Sequence, residues 1–252
     1  MLTDELLNYL FDGRSHLLAQ PMETWLASSR RFAAFVTSFR DKIRKKLRVT
    51  QDQESLLDLR LELETAHLLL QERPFSLVYE PQLGGKLRGP DYAVTFTTSL
   101  TFMVEVTQLR ADPKSAQVEA QEQIPATDTI TTTPLIDERL VDTVCSKLGQ
   151  LLPQHSNVLL VGVEALPLTH NDLRATMLRI QQRAEWDDLT FLQRHRFYDR
   201  ADFFHRYQRL SEILVRGPHV QAAGHMVAWV NLQAKHPLPG KVRTVLYRSQ
   251  AV

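Results

Sequence analysis

Alternating apolar and polar residues mark two short stretches between residues 89 and 110. Apolar side chains recur at every second position, at Tyr92, Val94 and Phe96 in the first stretch and at Phe102, Val104 and Val106 in the second. This period of two is typical of β-strands and predicts an adjacent pair of them. Asp91 opens the first strand after a Gly-Pro pair, and Glu105 lies in the middle of the second. Because a carboxylate in an apolar strand is costly to bury alone, the pair predicts a positive group nearby.

Segments on either side of this strand pair show helical periodicity. Residues 53–72 carry an apolar stripe formed by Leu56, Leu59, Leu63, Ala66, Leu69 and Leu70, and residues 135–152 repeat the pattern. Further strands are predicted at 75–81 and at 157–164, where nearly continuous apolar sequence is typical of a strand buried on both faces. The predicted order is a helix, an antiparallel meander of three strands, a second helix and a buried strand.

The two ends of the chain extend this central pattern. Helical periodicity covers residues 4–20 and 23–48. Beyond the central segment, the sequence predicts a helix from a capping box at Thr169–Asp172 to about Glu185, strands at 210–216 and 225–231, and a short end segment after Pro239-Gly240. Between the second core helix and the strands before it, the polar residues 111–134 predict a long mobile connection, for which a tolerated insertion is favoured over a lid or a substrate contact.

These elements predict an α/β protein with a mixed core sheet that later strands extend. The predicted divisions are a helical N-terminal extension with a basic segment (1–52), a core (53–165) and a C-terminal α/β extension packed on that core (166–252). Within the last division, aromatic residues and arginines interleave over 191–209. A helical core face with a basic outer side is favoured there over a surface that stacks nucleic-acid bases.

Composition narrows the class of protein. The 252 residues carry a net charge of +1, so any affinity for nucleic acid has to come from a local patch. No apolar run approaches the roughly 18 residues of a membrane span, so no membrane partner is expected. A single cysteine, Cys145, excludes an internal disulfide and is typical of a reducing, cytoplasmic compartment.

A cluster of basic residues lies at the end of the second N-terminal helical segment. Its members are Arg40, Lys42, Arg44, Lys45, Lys46 and Arg48, with only Asp41 opposing them. Clustered lysine and arginine residues are typical of a surface that contacts nucleic-acid phosphates. A solvated helix face and a docking surface for an acidic protein explain the same residues, and the sequence leaves all three interpretations open.

Helical geometry gives the charged side chains of the two core helices a direction. At 100° per residue, Glu62 falls on the edge of the first apolar stripe, whereas Glu64 points to the opposite side. Lys147 falls on the buried side of the second helix. Because lysine is unusual on a packing stripe, either its long stem reaches solvent or its ammonium meets acidic groups.

The order and spacing of these acids resemble the PD-(D/E)XK superfamily, whose core has the restriction-endonuclease-like fold. The resemblance covers about residues 53–165. Asp91 and the proline before it match the Pro-Asp motif, Glu105 matches the second acid, and Glu62 matches the acid of the first helix. Thr107 occupies the place at which the superfamily usually has a lysine. Lys147 matches those branches in which this lysine lies on the following helix.

The resemblance implies an αβββαβ core and a metal-dependent nuclease that acts on DNA. In this hypothesis Asp91 and Glu105 bind Mg²⁺ or Mn²⁺, and Glu62 either completes the metal shell or positions a water-bridged second ion. Lys147 orients the attacking water or stabilises charge on the phosphate, and Thr107 hydrogen-bonds to that water or to a ligand. A homodimer or another protein partner is a further expectation, since cutting both strands with this fold usually needs two active sites.

The residues also allow other hypotheses. The main alternative is a catalytically inert protein of the same fold that binds nucleic acid or a protein partner. A buried ion pair between Glu105 and Lys147, without a metal, fits that alternative. A third hypothesis is a scaffold whose basic helix docks a partner. Other hydrolytic chemistry is not indicated, because the sequence has no His-x-x-x-His zinc pair and no Gly-x-Ser-x-Gly elbow, and Cys145 has no histidine near it in sequence.

Overall fold

The computed structural model describes residues 3–50, 52–82, 89–109, 133–163, 168–217 and 227–250. The helices in these ranges are α1 (Thr3–Phe11), α2 (Ala19–Ser28), α3 (Arg30–Val49), α4 (Gln53–Gln71), α5 (Thr133–Leu148), α6 (His170–Glu185), α7 (Leu189–Arg194), α8 (Arg200–Tyr207) and α9 (Gly240–Gln250). The strands are β1 (Phe75–Tyr79), β2 (Tyr92–Phe96), β3 (Leu100–Gln108), β4 (Ser156–Gly162), β5 (Leu210–Arg216) and β6 (Val227–Val230). The predicted α/β class is confirmed.

The six strands form one mixed sheet in chain order, β1-β2-β3-β4-β5-β6. β1, β2 and β3 pair antiparallel, which confirms the predicted meander. β4 and β5 each join parallel to the strand before them, and β6 returns antiparallel. Because β4 has a neighbour on both edges and helices over both faces, its side chains are buried from Asn157 to Gly162. The later strands therefore extend the core sheet, as the sequence predicted.

Each face of the sheet has its own hydrophobic core. Because side chains alternate along a strand, Val158 and Leu160 of β4 point to one face and Leu159 and Val161 to the other. The first core contains buried side chains of α1–α4 and α9, and the second contains side chains of α5–α8. The first core also includes residues from each of the three predicted divisions of the chain, so these divisions share an interior.

Helix α4 is buried around most of its circumference. The Asp52 carboxylate caps its start by accepting a hydrogen bond from the Ser55 N–H at 2.7 Å. The sheet covers one side of α4, and the N-terminal helices and α9 cover others. The prediction that Glu64 faces outward is therefore wrong. Glu64 is half-buried and pairs with Arg216 of β5, with 3.0 Å between its Oε1 and the guanidinium Nη2.

The N-terminal segment contains a break that the sequence prediction missed. A single helix was predicted over 23–48, but the backbone is extended at Ser29, which separates α2 from α3. The Ser29 hydroxyl accepts a hydrogen bond from the Phe32 N–H at 3.2 Å and so caps α3. Apolar periodicity continues across this break, because both helices pack into the same core. The hydrophobic pattern alone therefore did not reveal it.

Helix α3 protects the free edge of the sheet at β1. Arg31 donates hydrogen bonds to the carbonyl oxygens of Leu70, Glu72 and Phe75. Lys42 donates to the carbonyl of Tyr79 at 3.2 Å, at the other end of the strand. An edge strand with unpaired carbonyls invites pairing with another chain. Arg31 and Lys42 therefore satisfy the Phe75 and Tyr79 carbonyls of β1, and Arg31 also bonds to the Leu70 and Glu72 carbonyls at the end of α4.

The C-terminal end is a helix rather than the short segment that was predicted. Val242 and Leu246 of α9 are buried in the first core. The carboxylate of Glu212, which is fully buried on β5, pairs with Arg243 and accepts a hydrogen bond from the Tyr247 hydroxyl at 2.9 Å. A buried carboxylate of the sheet thus fixes this helix in place.

Two further predicted features are confirmed, and a third lies mostly outside the described residues. The capping box at Thr169 and Asp172 is present and begins α6, as predicted. In 191–209, Phe191, Phe203 and Tyr207 are buried in the second core, which confirms the predicted helical core face. The predicted connection at 111–134 lies outside the described residues up to position 132. The description resumes at Thr133, where α5 begins.

Candidate active site

Asp91 and Glu105 lie side by side on neighbouring strands. β2 and β3 run antiparallel and pair Tyr92 with Val104. One residue before Tyr92 and one residue after Val104, Asp91 therefore lies opposite Glu105. Their side chains therefore share one face of the sheet. The Val106 N–H donates a hydrogen bond to Asp91 Oδ2 at 2.8 Å, which fixes that carboxylate against β3. Both residues are buried, with 8% of Asp91 and 3% of Glu105 exposed.

Lys147 reaches this carboxylate pair from helix α5. Its Nζ lies 2.7 Å from Glu105 Oε1 and 3.5 Å from Gln150 Oε1. Its side chain is only 16% exposed. Of the two predicted acidic partners, Lys147 contacts Glu105. The same contact is also the buried ion pair that the sequence offered as the alternative, and the geometry fits both hypotheses.

Glu62 is held by a lysine that the sequence assigned to the outer surface. Glu62 lies on the sheet-facing side of α4 and is 8% exposed. The Nζ atom of Lys46, on α3, lies 2.7 Å from Glu62 Oε1 and 2.7 Å from Glu80 Oε1. The same ammonium sits 4.8 Å from the centre of the Tyr79 ring. Lys46 therefore belongs to the acidic cluster.

The carboxylates act on one another electrostatically. Burial raises the pKa of Asp91 to about 8, and the negative charges of Glu62 and Glu105 add to that rise. The Val106 N–H and the Lys46 ammonium oppose it. Burial also raises the pKa of Glu62, against the pull of Lys46. The cluster thus has more negative charge than its lysines neutralise, which favours the uptake of a proton or a cation.

Glu80 is the carboxylate of this cluster that the sequence did not single out. It follows β1, and its φ of 44° places it in the left-handed region, which is uncommon for a residue with a side chain. Its N–H donates to the carbonyl of Asp91 at 2.8 Å, so the two acids are also neighbours along the backbone. The one available signal was its position just before Pro81, at the end of a predicted strand.

Thr107 follows Glu105 by two positions on β3 and shares its strand face. It is half-buried and stands opposite Val161 of β4. Lys147 supplies an ammonium to the same face from α5.

Most of the predicted basic surface is engaged within the chain. Arg44 and Arg48 both pair with Asp12, and the Arg48–Asp12 contact is 2.8 Å. Lys42 bonds to the carbonyl of Glu80 at 3.2 Å in addition to its contact at the end of β1. The guanidinium of Arg44 also stacks on the Tyr9 ring. These contacts give the cluster a structural role that the sequence pattern did not predict.

The exposed members of the basic cluster are Arg40, Lys45 and Arg48. Arg40 pairs with Asp41 at 3.8 Å and stacks on Tyr9. Lys45 is exposed, and the side chain of Arg48 is 56% exposed although it contacts Asp12. Helix α3 therefore carries exposed positive charge on one side and directs Lys46 into the site on the other.

The donor atoms of the site are chemically suited to a hard divalent cation. Carboxylate oxygens are the ligands that Mg²⁺ and Mn²⁺ prefer. Within the described ranges, however, no group of three or more His, Cys, Asp or Glu side chains has an arrangement that could hold a metal. Two of the carboxylates instead pair with lysines, Glu105 with Lys147 and Glu62 with Lys46. A metal site here would use Asp91 and Glu105, with other ligands from the main chain or water.

Cys145 is not part of this site. It is a residue of α5 that is buried in the second core. Burial raises the pKa of its thiol, and the nearby charge of Asp142 adds to the rise. A buried thiol with a raised pKa is a poor nucleophile, so the structure gives no support to cysteine chemistry.

Comparison with known proteins adds no relationship to this geometry. No protein-family model matches the chain significantly, and no curated protein or solved structure does either. Among the helices of the described residues, none has the length and apolar character needed to cross a membrane.

Proposed function

We propose that this chain is a metal-dependent nuclease with a restriction-endonuclease-like core, and that its substrate is DNA. The observation that carries the proposal is the position of Asp91 opposite Glu105 on adjacent strands, with the Lys147 ammonium 2.7 Å from Glu105. Two buried carboxylates beside an ammonium combine the hard ligands and the positive charge that phosphodiester hydrolysis needs.

The carboxylates have the binding role. Asp91 and Glu105 would hold Mg²⁺ or Mn²⁺, and Glu62 would add negative charge or a water-bridged contact. Such an ion supplies Lewis-acid activation of a phosphodiester and lowers the pKa of a bound water. The Val106 N–H keeps Asp91 in position, because it bonds to one oxygen and leaves the other to the ligand.

Lys147 and Thr107 act on the substrate and water in this proposal. The Lys147 ammonium lies beside Glu105 and has further N–H groups, which can bond to a phosphate oxygen as its negative charge grows. The Thr107 hydroxyl, two residues after Glu105 on the same strand face, can bond to the attacking water. These roles divide between two residues what a single lysine after the second acid does in most of the superfamily.

The surface of α3 supports an anionic substrate. Lys45 and Arg48 are exposed on the helix that also directs Lys46 into the site. A phosphate backbone that reaches Asp91 would therefore pass near positive charge. DNA is the substrate that the superfamily resemblance favours, with a homodimer as the arrangement for cutting both strands.

A specific observation favours a second candidate, an inert protein of the same fold that binds nucleic acid or a protein partner. Lys147 neutralises Glu105 and Lys46 neutralises Glu62 without any metal. Such pairs stay in place in a protein that has no catalytic activity. The two candidates differ in whether divalent ions change what the protein does to DNA.

The test incubates supercoiled plasmid and single-stranded DNA with the full chain, with Mg²⁺ or Mn²⁺ and with EDTA. The variants are Asp91→Asn and Lys147→Met, and the matched control is Asp187→Asn, which makes the same change at an exposed position. We expect cleavage that needs the metal, is abolished by Asp91→Asn, falls by about 10²–10³ in Lys147→Met, and is unchanged in the control.

Each other outcome selects a different explanation. Cleavage that survives both site substitutions would come from a contaminant or from another site. Binding without cleavage would favour the inert protein, and its salt dependence would report the phosphate contacts. If the protein neither binds nor cleaves DNA, the scaffold hypothesis remains, in which the basic helix docks a protein.

A further inference from the structure

Lys46 bridges two carboxylates that come from different elements. Its Nζ lies 2.7 Å from Glu62 of α4 and 2.7 Å from Glu80, which follows β1. The Tyr79 ring lies on another side of the ammonium, at 4.8 Å from its centre. The lysine stem crosses from α3 to reach this position, and its side chain is 28% exposed. A flexible surface lysine would not be expected to hold such a position.

The two lysines of the site serve different carboxylates. Lys147 contacts Glu105, whereas Lys46 contacts Glu62 and Glu80. Asp91 interacts electrostatically with Glu62, Glu105 and Lys46. Asp91 is therefore close to both ion pairs, although its carboxylate takes its hydrogen bond from the backbone. Without Lys46, Glu62 and Glu80 would face each other with no positive charge between them.

A buried hydroxyl adds to the polar surroundings of Glu62. Tyr79 is fully buried, and its phenol hydroxyl interacts with the Glu62 carboxylate. Burial raises the pKa of this phenol, and the charge of Glu62 adds to the rise. The Tyr79 hydroxyl therefore stays neutral beside Glu62, and the positive charge at this place comes from the Lys46 ammonium.

We propose that Lys46 acts as a fixed second cation of the active site. Enzymes that cleave phosphodiesters often use two divalent ions that share a cluster of carboxylates. Here the ammonium occupies the position between Glu62 and Glu80 at which a second ion would bind. The chain therefore binds one divalent ion, at Asp91 and Glu105, and loss of the Lys46 charge creates a second site. This inference rests on the metal site of the proposed function.

The substitution Lys46→Met separates charge from packing. Methionine keeps a long unbranched side chain beside the Tyr79 ring but removes the ammonium. Glu62 and Glu80 then present carboxylate oxygens to each other across the space that the ammonium filled. Hard oxygen donors of this kind bind Mn²⁺. The neighbouring Lys45→Met is the matched control, because it makes the same change at an exposed position of the same helix.

The experiment counts the Mn²⁺ ions bound per chain, by calorimetric titration and by the electron paramagnetic resonance signal of free Mn²⁺. The expected stoichiometry is one ion for the wild type, two for Lys46→Met and one for Lys45→Met. The double variant Lys46→Met/Glu62→Gln removes a ligand of the new site, and we expect it to bind one ion again.

Stability measurements keep the test decisive if Lys46→Met folds poorly. The single variant leaves the buried Glu62 without its cation, which destabilises a protein. Its melting temperature is then expected to rise more with Mn²⁺ than that of the wild type does. An equal rise of the melting temperature in the two proteins would overturn the inference, because the substitution would then have created no additional metal site.

The remaining outcomes separate this inference from the proposed function. Two ions on the wild type, or a single ion on Lys46→Met when the wild type also binds one, would show that Lys46 does not limit binding. No ion on the wild type but one on Lys46→Met would support the role of Lys46 while excluding the metal site at Asp91 and Glu105. No binding by either protein would overturn both proposals.

Discussion

The Nζ atom of Lys147 lies 2.7 Å from Oε1 of Glu105, across 42 positions of sequence. A second contact of the same length joins Lys46 to Glu62. Each lysine brings a helix to a carboxylate of the site, and the main-chain N–H of Val106 holds Asp91 near both pairs. Because the pKa of Asp91 is raised and its carboxylate is a proposed metal ligand, we expect its charge to depend on pH and on metal ions.

Asp91 is expected to make the stability of the metal-free protein fall as the pH rises. Its pKa is raised from 3.8 to about 8, so between these values the folded chain keeps a proton that the unfolded chain releases. By proton linkage, the free energy of unfolding decreases as the pH rises through this window. Asp91→Asn removes that contribution. Thermal unfolding in EDTA should therefore show a smaller decrease for the variant between about pH 5 and about pH 8, whereas equal decreases would show that Asp91 titrates normally.

Divalent ions are expected to stabilise the wild type but not Asp91→Asn. An ion that binds only the folded state stabilises it by about 2.7 kcal/mol at a hundred times its dissociation constant. Because the ion and a proton compete for Asp91, the effect should be larger at about pH 8 than at about pH 6. Melting curves with Mn²⁺ at both pH values measure it. A similar shift in both proteins would place the binding site elsewhere.

Removal of Lys147 is expected to destabilise the metal-free chain. Glu105 is 3% exposed and would remain as a buried charge without its cation. Such a change typically costs about 3–5 kcal/mol. The double variant Lys147→Met/Glu105→Gln removes both charges and should recover most of that loss. Urea unfolding in EDTA provides the free energies, and a single variant as stable as the wild type would mean that the pair is solvated.

Arg31 is expected to protect the sheet edge. Arg31→Met removes the donor that bonds to the Phe75 carbonyl of β1 and to the Leu70 carbonyl at the end of α4, whereas the Glu72 carbonyl keeps its bond from the Phe75 N–H. We expect a loss of about 2 kcal/mol in the free energy of unfolding. The exposed edge of β1 should also increase aggregation. Urea unfolding and light scattering measure the two effects. The neighbouring, exposed Arg30→Met is the control, and an equal effect of both substitutions would exclude an edge-specific role.

Two neighbours in the basic cluster are expected to behave in opposite ways. Lys45 is exposed, whereas Arg44 contacts Asp12 and Tyr9. Lys45→Gln should weaken DNA binding without changing stability. The slope of log affinity against log salt concentration should fall by about one, which corresponds to one lost phosphate contact. Arg44→Gln should lower the melting temperature more than it lowers DNA affinity. Fluorescence anisotropy over a range of salt concentrations tests this, and unchanged binding by Lys45→Gln would remove this surface from the DNA interface.

The strand pair at the centre of the site was predictable because its signal is local. Alternation in two neighbouring segments defines which side chains share a face, and a short hairpin brings Asp91 opposite Glu105. The position of Lys147 was predictable for a similar reason, since helical spacing identifies the buried side of α5. These residues therefore needed little knowledge of distant contacts.

The surroundings of the site depend on contacts between distant segments. The pattern of α4 shows one apolar stripe, and only the packing of other helices buries the side that carries Glu64. Lys46 is indistinguishable in sequence from its basic neighbours, because its partners Glu62 and Glu80 meet it only in the folded chain. The i, i+4 spacing of Val242 and Leu246 was a usable signal for α9 that the prediction did not take up.

X-ray diffraction at the manganese absorption edge, from crystals of the wild-type protein soaked in Mn²⁺, tests the proposed metal site most directly. The expected result is one anomalous peak per chain within coordination distance of the carboxylates of Asp91 and Glu105, with the Lys147 ammonium beside it. A map with no peak at these carboxylates, and with Lys147 still paired to Glu105 alone, would contradict the proposed metal site and with it the nuclease activity.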